Sequence, residues 1–302
     1  MANKHIEIKH KEILYPSVLV KTSKAGGSGT VVYSKPISKG SEEYETYVLT
    51  NWHVVEAAIA VKREWDPLLS KDVKKETRAT VTVEFYRYKN LSCNIGRTAV
   101  EADIVAYDKD QDIALVKLRS AEPVKYVARL HPKDVKNIHI FDTVYICGCS
   151  LGHSPIPTNG EITSMDDEID NYKYWMSNGQ IIYGNSGGGV YLVKTIIVDA
   201  QKEKEEEFFE FIGIPSRIEV IGWGDSITHM GYFIPIGRIY DWLEEEMFQF
   251  IFDSKFTSTQ CEKMRDKRKE EARKAFERRE RKAEEDSGLD EIENKEEDEN
   301  EE

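Results

Sequence analysis

Residues 80–85 read Thr-Val-Thr-Val-Glu-Phe, polar and apolar in strict alternation. A period of two sends every second side chain to one face, the pattern of a half-buried antiparallel strand. Such a strand needs hydrogen-bonded neighbours, and the chain offers many. Short runs rich in Val, Ile, Thr and Tyr occur at 18–21, 30–33, 47–50, 79–86 and 113–118, separated by Gly, Pro, Asn and charge. A second group lies at 141–148, 174–177, 189–193, 195–198, 208–214 and 231–234. Between them, residues 201–207 (Gln-Lys-Glu-Lys-Glu-Glu-Glu) read as a charged hairpin tip. Only residues 54–60 suit a short helical turn. Two clusters of short antiparallel strands with little helix predict an all-β body of two small barrels, about 14–120 and 139–235, joined through 119–138 around Pro132.

Near the end the period changes. Ile239, Leu243, Met247 and Phe250 recur at helical spacing opposite Glu244, Glu245 and Glu246. This predicts a C-terminal helix over 236–253, lying apolar face down on the second barrel. Residues 1–252 would then be one domain and 253–302 a charged tail. From Cys261 the tail has strong helix formers, many i,i+4 opposite charges and almost nothing apolar. It reads as a solvated helix, alone or in a coiled coil, or as an arm for a protein partner. Glu residues interspersed among the bases of 263–282 favour a self-paired helix over a nucleic-acid arm. From Ser287 the chain is too acidic to compact, and disorder is expected.

Of the 302 residues 40% are hydrophobic, enough for a real core, and the net charge is −13. That charge argues against general binding of a phosphate backbone, although most of the net negative charge sits in 283–302. The N-terminus is charged throughout, which speaks against an ordinary secretory signal, and no stretch approaches the ~20 apolar residues that span a bilayer. Cys147 and Cys149 are too close for an ordinary bridge along a strand, where alternate residues lie about 7 Å apart. No Cys-x-x-Cys metal spacing exists, so Cys93, Cys147, Cys149 and Cys261 read as free thiols in a reducing, cytoplasmic setting, with no metal.

Residues 181–190 read Ile-Ile-Tyr-Gly-Asn-Ser-Gly-Gly-Gly-Val. Ser186 is either part of a flexible glycine-rich turn or a nucleophile, and a nucleophilic hydroxyl needs a base beside it. His53, in Leu-Thr-Asn-Trp-His-Val-Val, sits where a strand gives way to a short helix. Its pKa near 7 suits it to take a proton and return it. Asp112 opens the apolar Ile-Ala-Leu-Val strand, which would hold its carboxylate at fixed depth behind the histidine; Asp103, Asp108 and Asp110 compete for that role. The amides of Gly184 and Ser186 could face a developing oxyanion together if the chain turns with positive φ.

The three segments in this order, Thr-Asn-x-His-Val-Val, Asp-Ile-Ala-Leu-Val-Lys-Leu and Gly-Asn-Ser-Gly-Gly, resemble trypsin-like serine peptidases of the chymotrypsin fold, and within them the HtrA/DegP-type branch. Gly26-Gly27-Ser28-Gly29-Thr30-Val31, the stretch from Tyr145 to Gly152, and Gly231-Tyr232-Phe233-Ile234-Pro235 are similar to further segments of that branch. The resemblance covers roughly 14–245. It implies two antiparallel six-stranded barrels and a serine endopeptidase. In it His53 is base and acid, Asp112 orients it, Ser186 attacks, and Gly184 and Ser186 form the oxyanion hole, with no cofactor and a polypeptide substrate.

Asn185 stands where many secreted relatives carry an aspartate, so activation by N-terminal cleavage is not expected. A highly charged stretch of about 50 residues stands where a PDZ domain would follow. By the same resemblance Gln180 would fall at the base of the specificity pocket, followed by Ile181, with Tyr232 and Phe233 as the opposite wall, which leans toward an apolar or uncharged P1 side chain. A catalytically silent module of the same fold, working through its tail, is the rival reading. His131, His139, His153 and His229 read as structural or surface residues, and the Cys147/Cys149 pair as core thiols.

Overall fold

The computed structural model describes residues 2–66, 71–199, 204–222 and 224–299. Twelve of its strands close into two six-stranded barrels, antiparallel throughout. The first is built from β1 (Ser17–Lys21), β2 (Gly26–Pro36), β3 (Tyr44–Thr50), β6 (Val81–Lys89), β7 (Cys93–Asp108) and β8 (Ile113–Leu118), in the order β1-β2-β3-β8-β7-β6. Between β3 and β6 a separate two-stranded ribbon, β4 (Ile59–Asp66) and β5 (Lys71–Arg78), leaves the barrel. The second barrel comprises β9 (Thr143–Gly148), β10 (Ile156–Ile169), β11 (Tyr172–Ser177), β12 (Gly189–Asp199), β13 (Lys204–Ile221) and β14 (Asp225–Pro235), in the order β10-β11-β14-β13-β12-β9.

The alternation at 80–85 resolves as a barrel wall. Val81 and Val83 are buried inside with Val18, Val20, Val31, Val48, Ala114 and Val116, and Phe85 packs against the same cluster. Glu84, on the other face, is held between Lys21 (3.2 Å) and Arg97 (2.7 Å). The second core gathers Val144, Ile146, Ile162, Trp175, Ile181, Val190, Leu192, Ile212 and Phe233. At roughly 1.5–3 kcal/mol for each large apolar side chain taken from water, these two interiors account for the body's stability. The connection through 119–142 carries no strand, only a single bridge from Leu130 to Phe211.

Several elements depart from the sequence reading. Strands β4, β5, β7 and β10 have no counterpart in it. β7 starts Cys-Asn-Ile-Gly-Arg-Thr-Ala, and most of its first nine residues are exposed, so no apolar alternation marks it. Residues 189–193 and 195–198 belong to one strand, β12. The tip expected at 201–207 is shorter: residues 201–203 lie outside the described residues, and Glu205 to Glu207 already pair with Ile197 to Thr195 in the β13–β12 ladder. At the other end, the charged N-terminus forms α1 (Ala2–Lys9) and a π-helical turn (His10–Leu14). The turn buries Ile13, and Glu12 accepts bonds from the Phe209 amide (2.8 Å) and Arg129 (2.8 Å).

The chain divides into two compact units, Met1–Trp242 and Leu243–Glu302. In the first, the opening of α3 (Ile236–Glu245) is buried through Ile236, Ile239, Tyr240 and Trp242, and the Tyr240 hydroxyl donates to the His131 carbonyl. The helix ends at Glu245 rather than 253, because Met247 adopts a left-handed φ of 59° and the Phe248 amide turns back to the Leu243 carbonyl (2.6 Å). In the second unit α4 (Ser258–Glu299) is one continuous helix. Thr257 and Gln260 cap it reciprocally, amide to side chain, at 3.2 and 2.9 Å. Arg265 and Arg268 donate to the carbonyls of Met247 and Glu245. Through residue 299 the chain is helical where disorder is expected from Ser287: Glu, the commonest residue there, is a strong helix former, and no proline interrupts the run. Among the described residues no helix is long and apolar enough to cross a membrane.

Candidate active site

His53 lies on α2 (Trp52–Val55), one short turn at the end of β3. Val54 and Val55 are sunk in the first barrel's core, which fixes the turn and leaves His53 on its outer side. Asn51 precedes the turn in extended conformation, and its side-chain amide reaches the Asp112 carbonyl at 2.7 Å. This bond ties the His53 segment to the turn before β8.

In that turn the Asp108 carboxylate accepts the Gln111 amide at 2.8 Å, and Asp112 follows at φ 57°. A left-handed non-glycine residue costs about 1–2 kcal/mol, and four bonds compensate at its buried carboxylate. Oδ1 accepts the His53 amide (3.1 Å) and His53 Nδ1 (2.9 Å); Oδ2 accepts His53 Nδ1 (2.9 Å) and the Ser216 hydroxyl (2.6 Å). An ionised carboxylate only accepts, so Nδ1 carries the proton and Nε2 presents its lone pair. Asp103 is engaged with Arg119 and Asp108 with its own turn; neither meets His53.

Ser186 is brought to the same place by its neighbours. The Gly187 amide donates to the Pro215 carbonyl at 3.1 Å, next to the Ser216 that holds Asp112. Gly27 is wedged between the two segments: a Cβ there would lie 2.6 Å from Val54 Cγ2 and 3.1 Å from the Ser186 carbonyl oxygen. Gly187, at φ +86°, lies so close to β2 that a Cβ would come within 2.1 Å of the Ser28 carbonyl oxygen. Only glycine fits at such a φ and such a distance. Among the described residues, His53 Nε2 and Ser186 Oγ carry no hydrogen bond, to each other or to any third group.

The loop from Ile182 to Ser186 is held at every carbonyl. Ile182 accepts from the Asn185 amide (3.0 Å), Tyr183 from Leu151 (2.9 Å), Asn185 from Gly188 (2.9 Å) and Ser186 from Ser28 (2.8 Å). Gly184 accepts from the Ser28 hydroxyl. The buried Asn185 side chain accepts the Ser150 hydroxyl at 2.7 Å. With Tyr183 and Asn185 pinned by their carbonyls, the amides of Gly184 and Ser186 point the opposite way across each planar peptide. Among the described residues these two amides have no acceptor, whereas Asn185, Gly187 and Gly188 all donate. Gly184 reaches this arrangement at φ +95°.

The pocket residues expected from sequence are spread more widely. Gln180 is exposed, and its carbonyl accepts the Thr158 hydroxyl at 2.9 Å. Ile181 is buried and covers Gly231, where a Cβ would fall 2.4 Å from Ile181 Cδ1. Tyr232 turns its hydroxyl to Glu219 at 2.9 Å. Phe233 points into the barrel core, edge-on to Trp175. Adjacent strand residues face opposite sides, so Tyr232 and Phe233 do not share a wall.

All four cysteines are free, and Cys147, Cys149 and Cys261 are buried. Burial pushes the Cys147 thiol up to about 12 and raises Cys149 as well. Neither is poised as a thiolate nucleophile. Among the described residues no group of three or more His, Cys, Asp or Glu could hold a metal ion.

Ser28, Ser150, Thr50 and Ser216 escaped the sequence reading. Ser28 lies in a run noted only for its likeness to a family segment; Ser216, in Ile-Pro-Ser-Arg, carries no local signal at all. Among curated proteins none matches the chain. A family model, the trypsin-like peptidase domain, matches residues 27–195, more than half of the chain, a span that holds His53, Asp112 and Ser186. With two six-stranded barrels and this match, the chain belongs to the trypsin-like peptidase domain family.

Proposed function

We propose that the chain is a serine endopeptidase working through His53, Asp112 and Ser186. Ser186 Oγ attacks the scissile carbonyl while His53 Nε2 takes its proton; Asp112 keeps the other proton on Nδ1 and stabilises the imidazolium. The amides of Gly184 and Ser186 receive the negative oxygen of the tetrahedral intermediate. His53 then returns the proton to the leaving amine, and water enters by the same route to release the acyl-enzyme. The observation that carries this reading is the pair of unspent amides beside a serine, next to a histidine whose Nδ1 is committed to a buried carboxylate.

Within the family we favour the HtrA/DegP-type branch, on the Thr-Asn-x-His-Val-Val, Asp-Ile-Ala-Leu and Gly-Asn-Ser-Gly-Gly segments. The substrate is a polypeptide, with an uncharged P1 side chain, since Ile181 fills the space over Gly231 and no charged residue lies beside it at 180. We assign residues 1–252 to the peptidase and 253–302 to an arm for a protein partner. Free, buried thiols favour a reducing, cytoplasmic setting.

The test is covalent labelling. A fluorophosphonate should modify the chain at Ser186, and Ser186→Ala should abolish the label. Labelling that survives the substitution overturns the assignment. A folded chain that takes no label, even with unfolded protein present as substrate, is a silent module instead.

A further inference from the structure

We propose that Ser28 is a positioning residue for the reaction, the group that sets the two open amides of the nucleophile loop; this rests on reading Ser186 as the nucleophile. Ser28 is fully buried on β2 and spends every polar atom at this site. Its amide donates to the Ser186 carbonyl at 2.8 Å. Its hydroxyl donates to the Gly184 carbonyl at 2.5 Å and accepts the Cys149 amide at 2.6 Å. Its carbonyl accepts the Thr50 hydroxyl at 2.7 Å, three residues before His53.

The direction of the hydroxyl bond is forced. The Cys149 amide can only donate, so Ser28 Oγ is the acceptor there, and its single proton goes to the Gly184 carbonyl. The room for that oxygen is made by another glycine: a Cβ at Gly148 would lie 2.6 Å from Ser28 Oγ. The Ser28 hydroxyl therefore fixes the Gly184–Asn185 peptide between the two open amides, and its own amide fixes the Ser186–Gly187 peptide beyond them. Without the hydroxyl, the Gly184 carbonyl and the Cys149 amide are both left buried and unpaired. The loop's easiest relief is to rotate the Gly184–Asn185 peptide, because glycine at φ +95° has other conformations within reach. That rotation changes the angle between the Gly184 and Ser186 amides, on which transition-state binding depends. Ser28 acts through the loop, and a substrate need not touch it.

The experiment compares the full chain with Ser28→Ala and Ser28→Cys, each checked for folding by its melting transition. kcat and KM are measured separately on a peptide ester. Binding is measured for a peptide aldehyde, whose adduct with Ser186 places an oxygen on the two amides, and for the same peptide as a carboxamide, which forms no adduct. For Ser28→Ala, kcat should fall about 10- to 100-fold, below the ~10²–10³ that deletion of a direct oxyanion donor costs. KM and carboxamide binding should stay within about twofold, and aldehyde affinity should fall in step with kcat. Ser28→Cys, with a weaker donor of similar shape, should lie between the two. A folded Ser28→Ala with unchanged kcat overturns the proposal, as does an equal loss of both inhibitors, which marks a general distortion. If Ser28→Ala does not fold, Ser28→Cys is judged on the same criteria; failure of both to fold makes Ser28 a folding residue and also overturns it. A wild-type chain that takes no fluorophosphonate instead sinks the peptidase reading, before Ser28 is changed.

Discussion

Replacing Asp112 by asparagine exchanges one carboxylate oxygen for an NH₂ group, and the local bonds dictate how the amide must sit. Oδ1 receives the His53 amide, a donor that cannot reverse. An NH₂ placed there would face an N–H, leaving a buried donor unpaired at a cost of about 1–3 kcal/mol. Oδ2 receives the Ser216 hydroxyl, which can rotate and accept instead. The NH₂ therefore takes the Oδ2 side and points at His53 Nδ1. Nδ1 lies 2.9 Å from both sides of the group, and the tautomer that accepts from the NH₂ moves the proton to Nε2 and leaves the base no lone pair for Ser186. The tautomer is wrong while the geometry is kept, so fluorophosphonate inactivation at pH 7 should slow by about 10⁴-fold, equivalent to about 5.4 kcal/mol of transition-state stabilisation. The melting temperature should move by only a few degrees. The assay is the second-order labelling rate of folded Asp112→Asn against wild type. A slowing of less than tenfold would refute the orientation argument, and so would loss of the folded state.

Other substitutions and treatments test separate parts of the structure. Gly187→Ala puts a Cβ at φ +86° and within 2.1 Å of a backbone oxygen; a cost of about 3 kcal/mol should lower the melting temperature by roughly 6–12 °C and abolish labelling. In native protein at pH 8 a disulfide reagent should titrate one thiol rapidly, the exposed Cys93. Burial holds Cys147 near 12, above the ordinary thiol value, so its thiolate is scarce at pH 8 and it should react only after unfolding. Removing residues 256–302 should leave a single cooperative transition; its loss would show that the barrels depend on the tail.

The parts legible in the sequence are those where a local pattern and a tertiary role coincide. Val81 and Val83 alternate because they line a barrel, so β6 could be read directly. β7 was silent because its outer half faces water and is held by the β6 ladder, from Val81↔Ala102 to Lys89↔Cys93, rather than by burial of its own side chains. Among the described residues the β4–β5 ribbon pairs with itself alone; Ile59 at its root packs on the first core, but Val61 and Trp65 further out face solvent, so they mark no core. At the site, His53, Asp112 and Ser186 each sit in a short motif. The roles of Ser28, although it stands in the Gly26–Val31 run, and of Ser216 lie in which distant groups they meet, the Gly184 carbonyl and the Asp112 carboxylate, and no spacing along the chain encodes that.

A loop in which every carbonyl from Ile182 to Ser186 is already bonded has little to gain from rearranging. Turning over the Tyr183–Gly184 peptide would break its bond to Leu151, worth about 0.5–1.5 kcal/mol net between these two exposed residues. The turned-over form would then hold roughly one molecule in three or fewer. On that arithmetic, most molecules hold the loop in the form described, with the Gly184 and Ser186 amides already set.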